Sequence, residues 1–355
     1  MQTPDLSPDP SNPTPRSVAV LAGGIGGARF IRGLLHYLAV SEPGTEVTVI
    51  ANTGDDIRLF GLQICPDLDS IMYTLGGGIS EERGWGREGE TFTIKDELAA
   101  YGAPPTWFGL GDRDTATHLV RTQMLSAGYP LSAVTEALCA RWQPGVRLIP
   151  MSDDRVETHV VIDADEPGTK QAIHFQEWWI RHRAAVRAHE FVLIGAEDAK
   201  PAPGVIDAIR NADIVLLPPS NPVVSIGTIL QIPGIREALR QTSAPVVGLS
   251  PIVGGAPVRG MADACLEAIG VATSAEAVAR HYGARVASVP AGADGGGILD
   301  GWLVHDDTDS AAIANLTPLG ITTRAVPLLM TDVDATAQMA SAAMDLAREI
   351  MAART

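Results

Sequence analysis

"SVAVLAGGIGGARFIRGLLHYLAV", residues 17–40, passes without a break from an apolar run through Gly23-Gly24-Ile25-Gly26-Gly27 into an amphipathic pattern. The apolar run has the continuous character of a parallel strand buried on both faces. From Gly27 onward the apolar positions recur at helical spacing up to Val40. A strand that ends in glycines and leads straight into a helix offers unpaired N–H groups and a partial positive charge at the turn. Glycine also lets a phosphate approach the backbone closely. The pattern is not a Walker loop, because no Gly-Lys-Ser/Thr follows. It also fits the dinucleotide fingerprint poorly, since Arg29 stands where the third glycine belongs. A tight β-α turn that binds nothing is the alternative.

Working outward, the same alternation continues. Runs at 17–24, 46–54, 159–163, 190–196, 212–220, 244–251 and 285–289 read as strands, and 27–40, 203–212, 233–242 and 334–353 read as helices. The expected fold class is α/β: a Rossmann-like, doubly wound, mostly parallel sheet. Residues 92–143 carry several helical patterns and few strand signals, and read as an embedded, mostly helical subdomain inserted after the second strand. With no internal repeat and no long linker, residues 16–355 are expected to form a single domain. Residues 1–15, "MQTPDLSPDPSNPTP", read as a disordered tail.

The chain has 355 residues, with 42 acidic against 26 basic and a net charge of −16. That balance argues against a nucleic-acid-binding face. Phosphates must then be held locally, by backbone N–H groups, a few Arg or Lys, and metal ions. Cys65, Cys139 and Cys265 are scattered, as reduced thiols would be. No apolar run approaches the ~20 residues of a membrane helix. A cytoplasmic homodimer with no membrane or nucleic-acid partner is the expectation.

The second strand leads into "IANTGDDIRLFGLQICPDLDS" (50–70), which sets Asp55 and Asp56 near Asp67 and Asp69. Carboxylates this close repel one another unless a cation sits among them. Hard oxygen ligands at the carboxyl edge of an open α/β sheet suit Mg2+ with a substrate phosphate. Helix caps and loop-solvated acids are the alternative. "WFGLGDRDTATHLVR" adds Gly109, Asp112, Arg113, Asp114, His118 and Arg121. "PPSNPVVSIG" adds Ser220, Asn221 and Ser225 as donors for a nucleotide base or phosphate, or else as a capped turn. "SPIVGGAPVRGM" contributes a second glycine loop with Arg259, of ambiguous role, and "HFQEWWIRHR" reads equally as an aromatic platform or a packed surface element.

Taken in order, "GGIGGARF", "NTGDD…CPDLDS", "GLGDRDTATHLVR", "MSDDRVETHV", "HFQEWW", "PSNPVVSIG" and "SPIVGGAPVRG" resemble the 2-phospho-L-lactate transferase family of coenzyme F-420 biosynthesis, over about residues 17–333. "YTLGGGI", "RGWG" and "ALCARWQPG" are similar to the actinobacterial, phosphoenolpyruvate-transferring form. The resemblance implies transfer of a phosphoenolpyruvyl or 2-phospho-L-lactyl group from a guanosine diphosphate adduct. The acceptor is the ribityl hydroxyl of the deazaflavin alcohol 7,8-didemethyl-8-hydroxy-5-deazariboflavin, and GMP is released with Mg2+ as cofactor. These motifs do not decide between the two acids. On that mapping Asp55, Asp56, Asp67 and Asp69 hold the metal, with Asp55 and Asp69 catalytic and Asp69 nearest the acceptor. Gly24, Gly26 and Gly27 cradle phosphates; Gly26 is expected to leave a phosphate its space in a left-handed turn. Ser220 and Asn221 surround the nucleotide. Gly109, Asp112 and Arg113 are expected to face the acceptor because the helical insertion at 92–143 lies next in sequence to the aspartate loop. A nucleotide-sugar-binding regulator of the same superfamily is the alternative, although it would carry an Asp-Gly-Gly-Ser-rich stretch after the second strand. A nicotinamide or flavin oxidoreductase is disfavoured by the broken fingerprint.

Overall fold

The computed structural model describes residues 16–285 and 296–354. The tail expected at 1–15, and all but the first residue of the strand expected at 285–289, lie outside that range. Among the described residues, seven strands build one sheet: β1 (Ser17–Ala22), β2 (Glu46–Ala51), β3 (Arg147–Pro150), β4 (Ile214–Leu217), β5 (Val246–Leu249), β6 (Gly301–His305) and β7 (Thr322–Val326). Their order across the sheet is β7-β6-β5-β4-β1-β2-β3, and every neighbouring pair is parallel. The chain winds one way from β1 through β2 to β3, and the other way from β4 to β7. This is the expected Rossmann-like arrangement, and it opens a crevice beyond the carboxyl ends of β1 and β4, where the winding reverses.

Burial on both faces explains the unbroken apolar character of β1. Val18, Val20 and Ala22 enter the core on one face with Val49 and Leu216, whereas Ala19 and Leu21 enter the core on the other with Ile50 and Val215. Helix α1 (Gly24–Ser41) covers the first face with Phe30, Ile31, Leu34 and Leu38. The long C-terminal helix of Val333–Ala352 lies beside it, burying Ala337, Ala340, Ala343 and Ala347. Gly33 lets the two helices approach, since a β-carbon there would lie 2.4 Å from Thr336 Cγ2. Leu34 is fully buried in this contact, and truncating it to Ala would cost roughly 2–5 kcal/mol.

The segment between β2 and β3 holds a short hairpin (Ile57–Leu59 with Leu62–Ile64) and helix α2 (Pro66–Leu75). It continues into the helix Thr93–Ala100, helix α3 (Asp112–Ser126) and the helix Leu131–Trp142. The helical character expected for 92–143 is present. Two expected core strands sit elsewhere. Glu157–Asp163 and Glu190–Ile194 pair antiparallel in a separate three-stranded sheet with Lys170–His174. Their burial alternates along the strand, as in a sheet covered on one face only. β3, β6 and β7 were not anticipated. No helix among the described residues is long and apolar enough to cross a membrane.

Candidate active site

A cavity of about 1170 Å³ opens at the reversal point, and its wall includes Gly23, Gly24, Asp55, Asp67, Ser220 and Ser225. Three segments meet at its floor. β1 ends at Gly23, where an added β-carbon would sit 2.5 Å from Asp67 Oδ2 and 2.7 Å from Ser225 Oγ. Only glycine lets the strand end, the first turn of α2 and the loop after β4 come together. Gly24 follows with φ +64°, in the left-handed region that glycine tolerates.

Gly26 requires a correction. Its φ is not in the left-handed region, and a β-carbon on it would strike Pro219 O at 2.6 Å. It is glycine because helix α1 backs onto the loop after β4, although it still lines the cavity. Gly27 lies behind the wall, with its missing β-carbon 2.8 Å from Ser220 Oγ. Ser220 and Asn221 line the cavity, yet their polar atoms are engaged in shaping the loop. Ser220 Oγ donates to Gly23 O (2.8 Å) and accepts from Gly23 N (3.3 Å). Asn221 Oδ1 accepts from Val223 N and Val224 N, and Nδ2 reaches Cys265 Sγ at 3.4 Å.

All four aspartates of the 55–69 stretch are buried, but they do not converge as a four-ligand cage. Residues two apart on a helix point about 200° away from each other, and Asp67 and Asp69 occupy the first turn of α2. Asp67 turns toward β2: Asn52 Nδ2 donates to Asp67 Oδ2 at 3.0 Å and lies 3.4 Å from Asp55 Oδ1. Asp55 Oδ2 also accepts from Gln176 Nε2 at 2.9 Å. Asp69 turns the other way, onto the buried guanidinium of Arg121, with His118 Nδ1 at 3.7 Å. Asp56 is absent from the cavity wall and meets the Cys65 thiol. Among the described residues, the tight group of three His or acidic side chains is His305, Asp306 and Asp307, not these aspartates.

Burial dominates the electrostatics here. It raises the pKa of Asp55, with the charges of Asp67 and Asp56 adding to the effect. It pushes Asp67 up to about 6, against the hydrogen bonds from Asn52 and Gly24. Asp114 rises to about 7 through burial and then the charge of Asp69, while burial lowers His118 to about 4. Asp69 Oδ2 and Asp56 Oδ1 are buried with no hydrogen-bond partner. Two facing carboxylates, Asp55 and Asp67, beside a cavity large enough for a phosphate ligand suit Mg2+, which takes one or two carboxylates and completes its shell with phosphate and water. The residues therefore fit a divalent ion at Asp55 and Asp67, a smaller ligand set than the four aspartates suggest.

The opposite wall is aromatic. Trp85, Phe92, Trp107, Phe108, Phe175 and Trp179 line it. The tandem tryptophans divide their work, since Trp178 is buried with Nε1 donating to Val186 O at 2.7 Å and Trp179 faces the cavity. Gly109 lines this wall and makes room for Trp85, whose Cη2 would lie 2.9 Å from a β-carbon there. Asp112 and Arg113 do not line it. Asp112 accepts from Thr91 Oγ1, Thr93 N and Ile94 N, capping the neighbouring helix. Arg113 Nη1 donates to Glu88 O at 2.9 Å. The face of α3 that reaches the cavity carries Asp114 and His118, at helical i,i+4 spacing. Arg121 follows three residues on.

The family model for 2-phospho-L-lactate transferase CofD matches residues 18–333. The chain belongs to this transferase family. Relatives named phosphoenolpyruvate transferase include one from Streptomyces griseus, 65% identical over 335 residues, covering 94% of this chain and 99% of the relative. Another, from Thermobifida fusca, is 63% identical over 337 residues, covering 94% and 98%. A solved structure of a upf0052 family protein from Bacillus halodurans superposes with a TM-score of 0.58 at 20% identity, covering 93% of this chain and 99% of that one. That likeness concerns the fold alone.

In this transferase, two site residues escaped sequence reasoning. Asn52 bridges Asp55 and Asp67, and Gln176 fixes Asp55. Asn52 stands at the exact carboxyl end of β2, ahead of the acid pair, and its position was the available signal. Gln176 comes from a segment 121 residues away from Asp55; its place in "HFQEWW" was the available signal, but nothing in that motif pairs it with Asp55.

Proposed function

We propose that the protein transfers a phosphoenolpyruvyl group from its guanosine diphosphate adduct to the ribityl hydroxyl of 7,8-didemethyl-8-hydroxy-5-deazariboflavin, releasing GMP, in coenzyme F-420 biosynthesis. The observation that carries the reading is the division of one cavity into a carboxylate and glycine floor and an aromatic wall. The first suits a diphosphate with Mg2+, and the second suits a flat tricyclic alcohol. Relatives at 60–65% identity that are named phosphoenolpyruvate transferase support the enolpyruvyl acid over the lactyl one.

The reaction forms one bond and breaks one. The acceptor hydroxyl oxygen bonds to the phosphorus that carries the acid, the bridging P–O bond to GMP breaks, and the hydroxyl proton is lost. Mg2+ at Asp55 and Asp67, when bound, neutralises diphosphate charge. Gly23 and Gly24 let the phosphates approach the start of α1. Arg121 holds one oxygen of Asp69, and the other, Oδ2, has no hydrogen-bond partner. We assign Oδ2 as the acceptor of the hydroxyl proton, reached once the bound alcohol displaces the side chains that cover it. The aromatic wall excludes water from a group that hydrolysis would otherwise take.

Mass spectrometry of the product made from the deazaflavin alcohol and each guanylylated acid tests this. Enolpyruvyl product with stoichiometric GMP is expected. Absence of product with either acid, together with tight binding of a UDP-sugar, would instead favour the nucleotide-sugar-binding regulator.

A further inference from the structure

Four cationic side chains line the cavity: Arg29, Arg83, Lys95 and Arg259. The chain carries 42 acidic residues, yet among the described residues none of the four forms an ion pair with a carboxylate. Arg83 is occupied, stacked 5.6 Å from Trp85 and 5.8 Å from Phe92 with Nη2 donating to Arg87 O at 2.6 Å. Lys95 belongs to the short helix Thr93–Ala100 on the aromatic side. Arg83 is thus engaged, whereas Lys95, like Arg29 and Arg259, donates no hydrogen bond among the described residues. What sets the two arginines apart is that they lie close enough for one to feel the charge of the other.

Arg29 belongs to the floor, and Arg259 approaches it from the side of the wall that carries Arg83 and Trp85. Arg29 projects from the first turns of α1, just beyond Gly24 and Gly26. Arg259 comes from the segment after β5, and its guanidinium packs on the backbone of Gly84, where a β-carbon would meet Nη2 at 2.7 Å. Burial lowers the pKa of Arg259, and the charge of Arg29 lowers it further. Two cations that feel each other across a cavity, with no acid between them, repel until an anion joins them.

We propose that Arg29 and Arg259 form the subsite for the carboxylate of the three-carbon acid carried by the donor. The proposal rests on the transferase reading above. That donor has three anionic groups, two phosphates and one carboxylate. The phosphates have partners in the glycine turn and in a cation at Asp55 and Asp67. The carboxylate has none, and this arginine pair, one member beside the glycine turn and the other facing it, has no protein partner among the described residues. A guanidinium matches a carboxylate with two parallel N–H···O bonds. Held there, the acid stays in place while GMP leaves, so the subsite separates the transferred group from the leaving group.

The test uses Arg29→Gln, Arg259→Gln and Arg259→Lys in the full chain, with thermal midpoints as the check on folding. Calorimetry gives the GDP affinity; steady-state kinetics give kcat and KM for guanylylated phosphoenolpyruvate and its carboxyl methyl ester. Each Gln variant should lose ~10-fold to ~100-fold in kcat/KM for the donor, with GDP affinity within about twofold of wild type. Arg259→Lys should recover part of the loss. The methyl ester should be poor for wild type, and Arg259→Gln should no longer distinguish ester from acid. An equal loss of GDP affinity would mean that the pair holds the diphosphate, and unchanged donor kinetics would mean that it holds neither; either result overturns the proposal. If wild type itself makes no product from the guanylylated acid, the transferase reading fails and takes the subsite with it.

Discussion

The two sides of the cavity are built by opposite means. The floor at the end of β1 is a backbone device: Gly23 has no room for a β-carbon beside Asp67 and Ser225, and Ser220 Oγ bonds back to Gly23. The far wall is a side-chain device, with Trp85, Phe92, Trp107 and Trp179 arriving from three stretches of chain. A floor held by backbone approach cannot absorb a methyl group, because strand, helix and loop would all have to move. A wall of large rings can lose one and keep the others. The floor should therefore respond to substitution steeply and the wall gradually.

Gly23→Ala should have the largest effect on activity. The added carbon displaces Asp67, and kcat/KM should fall by at least ~10²-fold, with a stability loss of about 1–3 kcal/mol from overpacking. Steady-state kinetics alongside urea unfolding checks both. Asp69→Asn comes next. It should lower turnover by ~10²-fold and also cost roughly 3–5 kcal/mol, because the buried guanidinium of Arg121 loses its counter-charge. Normal stability in that variant would mean that the pair is not buried as described. On the wall, Trp179→Ala should weaken the deazaflavin alcohol by about 0.5–1.5 kcal/mol in a fluorescence titration, with GDP affinity unmoved. The smallest effect belongs to Arg113→Ala, which ties down the Glu88 carbonyl away from the cavity. Acceptor affinity should match wild type, and a clear loss would return Arg113 to the site.

The same contrast explains what the sequence disclosed. The floor was readable because it is local: a strand, four glycines among five residues, and acids just past the second strand. Side-chain direction was less readable. Asp67 and Asp69 look equivalent as text, but α2 turns one toward Asn52 and the other toward Arg121. Gly26 reads as a phosphate glycine, yet its constraint comes from Pro219, far along the chain. The wall was half readable. The helices of 92–143 were visible, but Asp112 and Arg113 were favoured over Asp114 and His118, since which face of α3 meets the cavity depends on packing. β3, β6 and β7 are short, at four to five residues, and only their place in the sheet distinguishes them from apolar loop.

If Asp55 and Asp67 form a two-carboxylate site for a divalent cation, its effect on stability must depend on pH with a definite sign. Burial lifts Asp67 from 3.8 to about 6, so the folded protein holds this proton more tightly than the unfolded chain does. Its contribution to stability is complete below the unfolded value and is lost as pH rises through the folded one. A divalent cation reverses that loss only where the carboxylate is ionised. The direct measurement is the thermal midpoint of the metal-stripped protein with GDP, with and without Mg2+, at pH 5 and pH 7.5, for wild type and for Asp55→Asn/Asp67→Asn. Mg2+ should raise the midpoint of wild type at pH 7.5, do little at pH 5, and leave the double variant unmoved at both. An equal shift at both pH values, or a shift that survives in the double variant, would contradict the assignment of the cation to these two carboxylates.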